Sequence, residues 1–178
     1  MATERQKLRA TAYHEAAHAV AAFRHDTRVT GLSIIAEVGT LGRCHTQTPK
    51  WFRPDIQMTP RIRLKIESEI ICLFAGNLAE KKLTGRNNWR GASGDRRAAV
   101  DLASRLYWDE QVLSPFLGYV HAVAKNFVDS PRTWHDIRHV AKALLKKQKL
   151  TGREVVALIR ESEDQQFEAA RLKRGRNA

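Results

Sequence analysis

His14, Glu15 and His18 stand in the segment YHEAAHAV with the spacing HExxH. In a helix, positions i and i+4 project from one face about one turn apart, so the two imidazoles can converge on one Zn2+. Glu15, beside the first histidine, can reach a water at such a metal and take its proton while the metal lowers the water's pKa. The neighbouring residues favour a buried setting. Leu8, Ala12, Tyr13, Ala16, Ala17, Ala19, Val20, Ala21, Ala22 and Phe23 spread around almost the whole helix, turning by about 100° per residue. A helix apolar on nearly all sides is buried, and two buried histidines beside a buried glutamate need partners, one of which a metal supplies. The alternative is a pair of core histidines with ordinary hydrogen bonds.

A catalytic zinc site needs a third protein ligand and one open position. The best candidate is Asp95, in RGASGDRRAAVDLASRL, because Ala99, Leu102 and Leu106 follow it at intervals of 4, 7 and 11. That spacing directs the carboxylate along the apolar face of its helix. The competing reading is a first-turn Asp that complements the helix dipole. His135 and His139, in WHDIRHV, repeat the i, i+4 spacing with Asp136 beside the first. Trp134, Ile137, Ala141 and Leu144 mark the core side of that helix, however, and the two histidines fall opposite with Lys142 and Lys146. Lysines disfavour a dication, so this pair is expected on a solvated face. Of the two cysteines, Cys72 reads as a core thiol. Nothing in the sequence around Cys44 identifiably lowers its pKa, so a catalytic role is not expected for it.

The elements that must position these groups are mostly helical. Thr3 and Gln6 form a capping box for a helix from about Glu4 to Phe23. The stretch VTGLSIIAEVGTLGRCHTQT, with its β-branched residues and glycines, predicts two or three short strands. Residues 49–60 form a loop in which Trp51 and Phe52 either cover the site or pack the loop down. Thr59-Pro60 opens a second helix ending near Gly85. Further helices are expected at about 93–107, 115–128 and 133–148. A last one follows Thr151, which forms a capping box with Glu154. The fold class is α+β, predominantly α-helical: one domain over residues 1–170, a small β-sheet beside the HExxH helix, and a basic C-terminal tail at 171–178.

Composition narrows the functions. The 178 residues carry 31 Lys and Arg against 19 Asp and Glu, a net charge of +12 that attracts anions of any kind. Nucleic acid is a disfavoured partner, since no aromatic-rich RNA signature or DNA-reading helix accompanies the basic surface. Two cysteines do not make a disulfide framework. The polar N-terminus does not read as a signal peptide, and no run approaches the ~18–20 apolar residues of a membrane span. No GxxxxGK[ST] loop occurs. A cytoplasmic location is the expectation.

The segments YHEAAHAV, SIIAEVGTLGRCHTQTP, IICLFAGNLAEKKLTG and GASGDRRAAVDLASRL follow one another as in the FtsH protease domain, and DIRHVAKALLKKQKLTGREVVALI resembles that family's closing helices. The resemblance spans roughly residues 10–160. FtsH is a family of membrane-anchored, ATP-dependent proteases, and its peptidase half is a zinc enzyme. The resemblance implies Zn2+ held by His14, His18 and Asp95, with Glu15 as catalytic base. It also implies a substrate-binding edge strand that includes Leu41, Gly42, Arg43 and Cys44, along which an extended peptide adds by main-chain hydrogen bonds. Glu80 matches a family glutamate near the metal, where it would touch a ligand rather than the ion; a surface salt bridge is the alternative. The departures are Ala17 for the family's glycine, Gly94 for an asparagine before the ligand Asp, and Lys81 for a second glutamate. The expected function is a zinc metalloendopeptidase acting on unfolded or flexible polypeptides. With the ATPase and anchor read as absent, a separate unfoldase or adaptor is the expected partner. The alternative function is a peptidase-like binding or regulatory module of weak or no activity.

Overall fold

The computed structural model describes residues 3–36, 41–88 and 91–175. Helix α1 (Glu4–Arg24) is the central element and begins as its sequence dictates. The Thr3 hydroxyl accepts from the Gln6 amide at 3.2 Å, while the Gln6 side chain accepts from the Thr3 amide at 2.8 Å. Ala12, Ala16, Ala17, Ala19, Val20 and Ala21 are wholly buried, and such small side chains let neighbouring helices approach closely. Those neighbours are α2 (Pro60–Thr84) and α5 (Pro131–Lys147), which lie against α1. Helix α2 starts at the Thr59 cap and stops at Gly85, whose left-handed φ of 72° ends it. Ile62, Ile66, Ile70, Ala75 and Ala79 carry its buried stripe.

Three strands make the sheet: β1 (Arg28–Ser33), β2 (Arg43–Gln47) and β3 (Lys149–Thr151), in the antiparallel order β2-β1-β3. Leu32 of β1 sits opposite both Cys44 and Leu150, and among the described residues β2 pairs along one edge only, with β1. A strand at 149–151 is not among those that the sequence predicts. It is three residues long and exists because Gln148, at a φ of 61°, turns the chain out of α5 and alongside β1. Residues Glu37–Thr40, within the stretch expected to form strands, lie outside the described residues.

The remaining helices are α3 (Ser93–Ser104), α4 (Glu110–Asp129) and α6 (Gly152–Gly175). Helix α4 starts earlier than the expected position near Pro115. The Asp109 carboxylate caps the Gln111 amide at 2.9 Å, and Pro115 is carried within the helix. Residues 171–175 continue α6 where a tail was expected, and 176–178 lie outside the described residues. The solvated face expected for His135 and His139 is corrected too. Helix α6 packs on that side of α5, both histidines are half-buried, and Asp136 is fully buried. Asp136 Oδ1 accepts from Ser162 Oγ at 2.7 Å and Gln166 Nε2 at 2.8 Å, and its Oδ2 accepts from Arg24 at 2.6 Å. His135 Nδ1 donates to Ser162 Oγ at 2.8 Å, since that hydroxyl spends its proton on Asp136.

Candidate metal centre

An open cleft of about 1500 Å3 runs between α1, β2, α2 and the start of α3. His14, Glu15 and His18 reach it from α1, and Asp95 from the first turn of α3. His14 Nε2 and His18 Nε2 are 3.0 Å apart, and Asp95 Oδ2 lies 3.1 Å from the first and 3.3 Å from the second. Among the described residues this is the one group of three His, Cys, Asp or Glu whose ligand atoms converge closely enough for an ion.

The far side of each ring decides what the near side offers. His18 Nδ1 is 2.7 Å from the Cys72 carbonyl, which can only accept, so the hydrogen sits on Nδ1. His14 Nδ1 faces the Glu80 carboxylate at 3.4 Å and has no closer polar partner. With both Nδ1 atoms directed at acceptors, both Nε2 atoms of the neutral rings would turn lone pairs toward each other and toward a carboxylate oxygen. Positive charge relieves that arrangement, a proton on His14 in the metal-free protein or a metal ion in its place, and orienting ligand histidines by acceptors behind them is the usual construction of a metal site. Ligands at ~2.0–2.1 Å around a tetrahedral ion stand about 3.3 Å apart, close to the separations found. Two histidine nitrogens and one carboxylate oxygen therefore fit a zinc-sized dication.

Gly76 allows this convergence, and sequence reasoning missed it. A Cβ there would lie 2.5 Å from His18 Nε2 and 2.7 Å from His14 Nε2, so α2 passes the imidazoles only with a hydrogen at this position. The signal was present as a glycine inside an otherwise continuous apolar helix, where it costs stability unless something needs the space.

Electrostatics follow from these contacts. Burial alone would lower the pKa of His14, but its contacts with Asp95 and Glu80 and the charge of Glu15 raise it to about 9. Burial would raise the Asp95 carboxyl, yet contacts with His14 and His18 hold it well below the usual carboxylate range. Glu15 is raised, chiefly by burial, against the pull of the His18 and His14 imidazoles and a hydrogen bond from the Cys44 amide. That amide belongs to β2, so the strand's start is fastened to Glu15. Gly42, just before the strand, packs so closely that a Cβ would lie 2.9 Å from Glu15 Cγ. Leu41, Gly42, Arg43 and Cys44 all line the cleft, with Leu41 and Arg43 exposed and Cys44 half-buried. Burial pushes the Cys44 thiol far above its ordinary range and Cys72 up to about 12, so neither is a nucleophile at neutral pH. Trp51 and Phe52 do not line the cleft. Trp51 lies under the Arg61 guanidinium, 3.9 Å from its ring centre, and Phe52 packs on the core.

An α-dominated domain with two helical histidines and a carboxylate converging beside a buried glutamate has the make-up of a metallopeptidase domain. Residues 1–169 match the model for Peptidase family M41. The chain belongs to that family. It is also 30% identical over 171 residues to the "ATP-dependent zinc metalloprotease FtsH" of Haemophilus influenzae (strain ATCC 51907 / DSM 11121 / KW20 / Rd), a match covering 86% of this chain and 25% of that protein. The chain thus spans about a quarter of that relative's length. No helix among the described residues is long and apolar enough to cross a membrane.

Proposed function

We propose that this chain is an HExxH zinc metallopeptidase that hydrolyses peptide bonds in unfolded or flexible polypeptides. One observation carries the reading: Nε2 of His14, Nε2 of His18 and Oδ2 of Asp95 converge on a common point, with Glu15 lining the same cleft. Zinc held there supplies Lewis-acid polarisation of the peptide carbonyl and a lowered pKa for water.

The chain's own groups do the rest. Glu15 takes the proton of the attacking water and returns it to the leaving amine. Burial raises the proton affinity of the Glu15 carboxyl above that of a solvated one, which suits the group that takes the proton. The edge of β2 away from β1 receives an extended segment through main-chain hydrogen bonds, which are nearly blind to side chains. Leu41 and Arg43, exposed at the cleft wall, meet the side chains of that segment. Glu80 holds the back of His14. An extended backbone is required for this docking, so folded substrates must first be opened, and we assign that step to an unfoldase or adaptor acting with this domain.

Glu15→Gln tests the reading. Zinc content should stay at the wild-type level while cleavage of an unfolded polypeptide falls by about 10²–10⁴. Cleavage at the wild-type rate by this variant would sink the mechanism.

A further inference from the structure

Asn88 makes contact with both arms of the site although it belongs to neither. Its Nδ2 donates to Glu80 Oε1 at 3.0 Å, and the other oxygen of that carboxylate faces His14 Nδ1. Its Oδ1 accepts from the Gly91 amide at 3.0 Å, and its backbone carbonyl accepts from the Ala92 amide at 3.1 Å. Both ends of the carboxamide are thereby engaged in one sense only, since a flipped amide would set oxygen against carboxylate and NH2 against N–H. Gly91 and Ala92 lead directly into α3, where Ala92 occupies the cap position and supplies no side-chain hydrogen bond. Gly94, one residue before Asp95, has no side chain to supply one. Asn88 fastens the start of α3 from the other side.

We infer that Asn88 is a positioning residue that sets the Glu80 carboxylate behind His14 and the start of α3 beneath Asp95 together, so that ring and carboxylate arrive in register. The inference rests on the metal-centre reading above. A carboxylate behind a ligand imidazole fixes its tautomer and orientation, and loss of such a partner weakens metal binding by about 10–100-fold. Here one side chain governs that partner and the placement of the third ligand at once. Asn88 is exposed, so its removal leaves the core untouched.

The test measures zinc affinity by chelator competition in wild type, Asn88→Ala and Asn88→Asp, alongside the His14 ring nitrogens by long-range 1H–15N NMR of the metal-free proteins at a pH above the His14 pKa of about 9, where the ring is neutral. In Asn88→Asp the introduced carboxylate would still accept from the Gly91 amide but would repel Glu80, so this variant isolates the Glu80 arm. Expected are a drop in zinc affinity of about tenfold or more in both variants, loss of the single Nδ1–H signature of His14, and thermal midpoints of the metal-free proteins within a few degrees of wild type. Wild-type affinity in either variant, or an unchanged His14 signature in Asn88→Asp, overturns the assignment. Wild type that takes up no zinc overturns the metal centre itself and the assignment with it.

Discussion

At the scale of single residues, the site depends on where each imidazole keeps its hydrogen and on what occupies the space beside it. His14 is held protonated up to a pKa of about 9 when no metal is bound, mainly by Asp95 and Glu80 working against its burial. Zinc needs the neutral ring, so metal uptake must expel that proton. The sign follows: the stabilisation from His14's raised pKa is fully present below about 6.5 and is lost as pH rises through about 9, so the proton competes less and less. Zinc affinity should therefore climb by about tenfold per pH unit between pH 7 and 9 and level off above. Calorimetry at pH 7.5 in buffers of different ionisation enthalpy should show about one proton released per zinc; no buffer dependence would contradict the His14 assignment. Gly76 gives the second prediction at this scale. Gly76→Ala should destabilise the metal-free protein by about 1–3 kcal/mol, less whatever helix propensity returns, because the new methyl must displace two imidazoles. Zinc affinity should also fall by about tenfold or more because the methyl pushes both Nε2 atoms aside. Chelator competition and urea unfolding of the same sample would separate the two effects.

At the scale of elements, α1 is held along its length by different means. Its middle is buried among alanines against α2 and α5, and its last turn is tied down by charge. Arg24 spans Asp136 of α5 and Glu163 of α6, joining three helices at one guanidinium. Asp136 is wholly buried and depends on that partner. Arg24→Met should cost about 3 kcal/mol in urea unfolding, because it strands a buried charge. Arg24→Met combined with Asp136→Asn should cost less than Arg24→Met alone, since no charge is then left behind. Equal losses in the two would argue that Arg24 acts through its packing. This junction also explains why WHDIRHV misled: read alone, α5 is amphipathic with His135 and His139 on its polar side. Whether that side meets water depends on α6, which carries Ser162, Glu163 and Gln166 from elsewhere in the chain.

At the scale of the whole molecule, the cleft is assembled from parts of unequal stability. Helices α1 and α2 share the core, whereas α3 buries only Ala99 and Ala103 and begins without a side-chain cap. Asp95 thus rides on a wall that shares less of the core than α1 and α2 do. Metal bound by His14, His18 and Asp95 would tie α3 to α1, and ligands that bind only the native arrangement stabilise what they bridge. Hydrogen exchange of zinc-loaded protein before and after chelation should show the amides of residues 93–104 losing protection, while those of α1 and α2 change little. Uniform loss across the chain would mean that the metal supports the entire fold. No change anywhere would mean that α3 is held without it.

The local structure of this protein was legible in its sequence. Caps at Thr3, Thr59 and Thr151, the stop at Gly85 and the HExxH spacing are short-range patterns, and backbone geometry reads them the same way in any surroundings. The spacing from Asp95 to Ala99, Leu102 and Leu106 pointed that carboxylate inward for the same reason. What the tertiary structure decided involves residues far apart in the chain. Strand β3 forms only because β1 offers it an edge, α4 begins where Asp109 rather than Pro115 sets its start, and the polar side of α5 is covered by α6. The meeting of Asp95 with two histidines 81 and 77 residues earlier depends on α2 crossing α1 at Gly76. It depends equally on the lead-in to α3 being held at Asn88. Spacing along one helix is set by its own hydrogen bonds, whereas the approach of two helices is set by the smallest side chain between them, and only packing reveals which one that is.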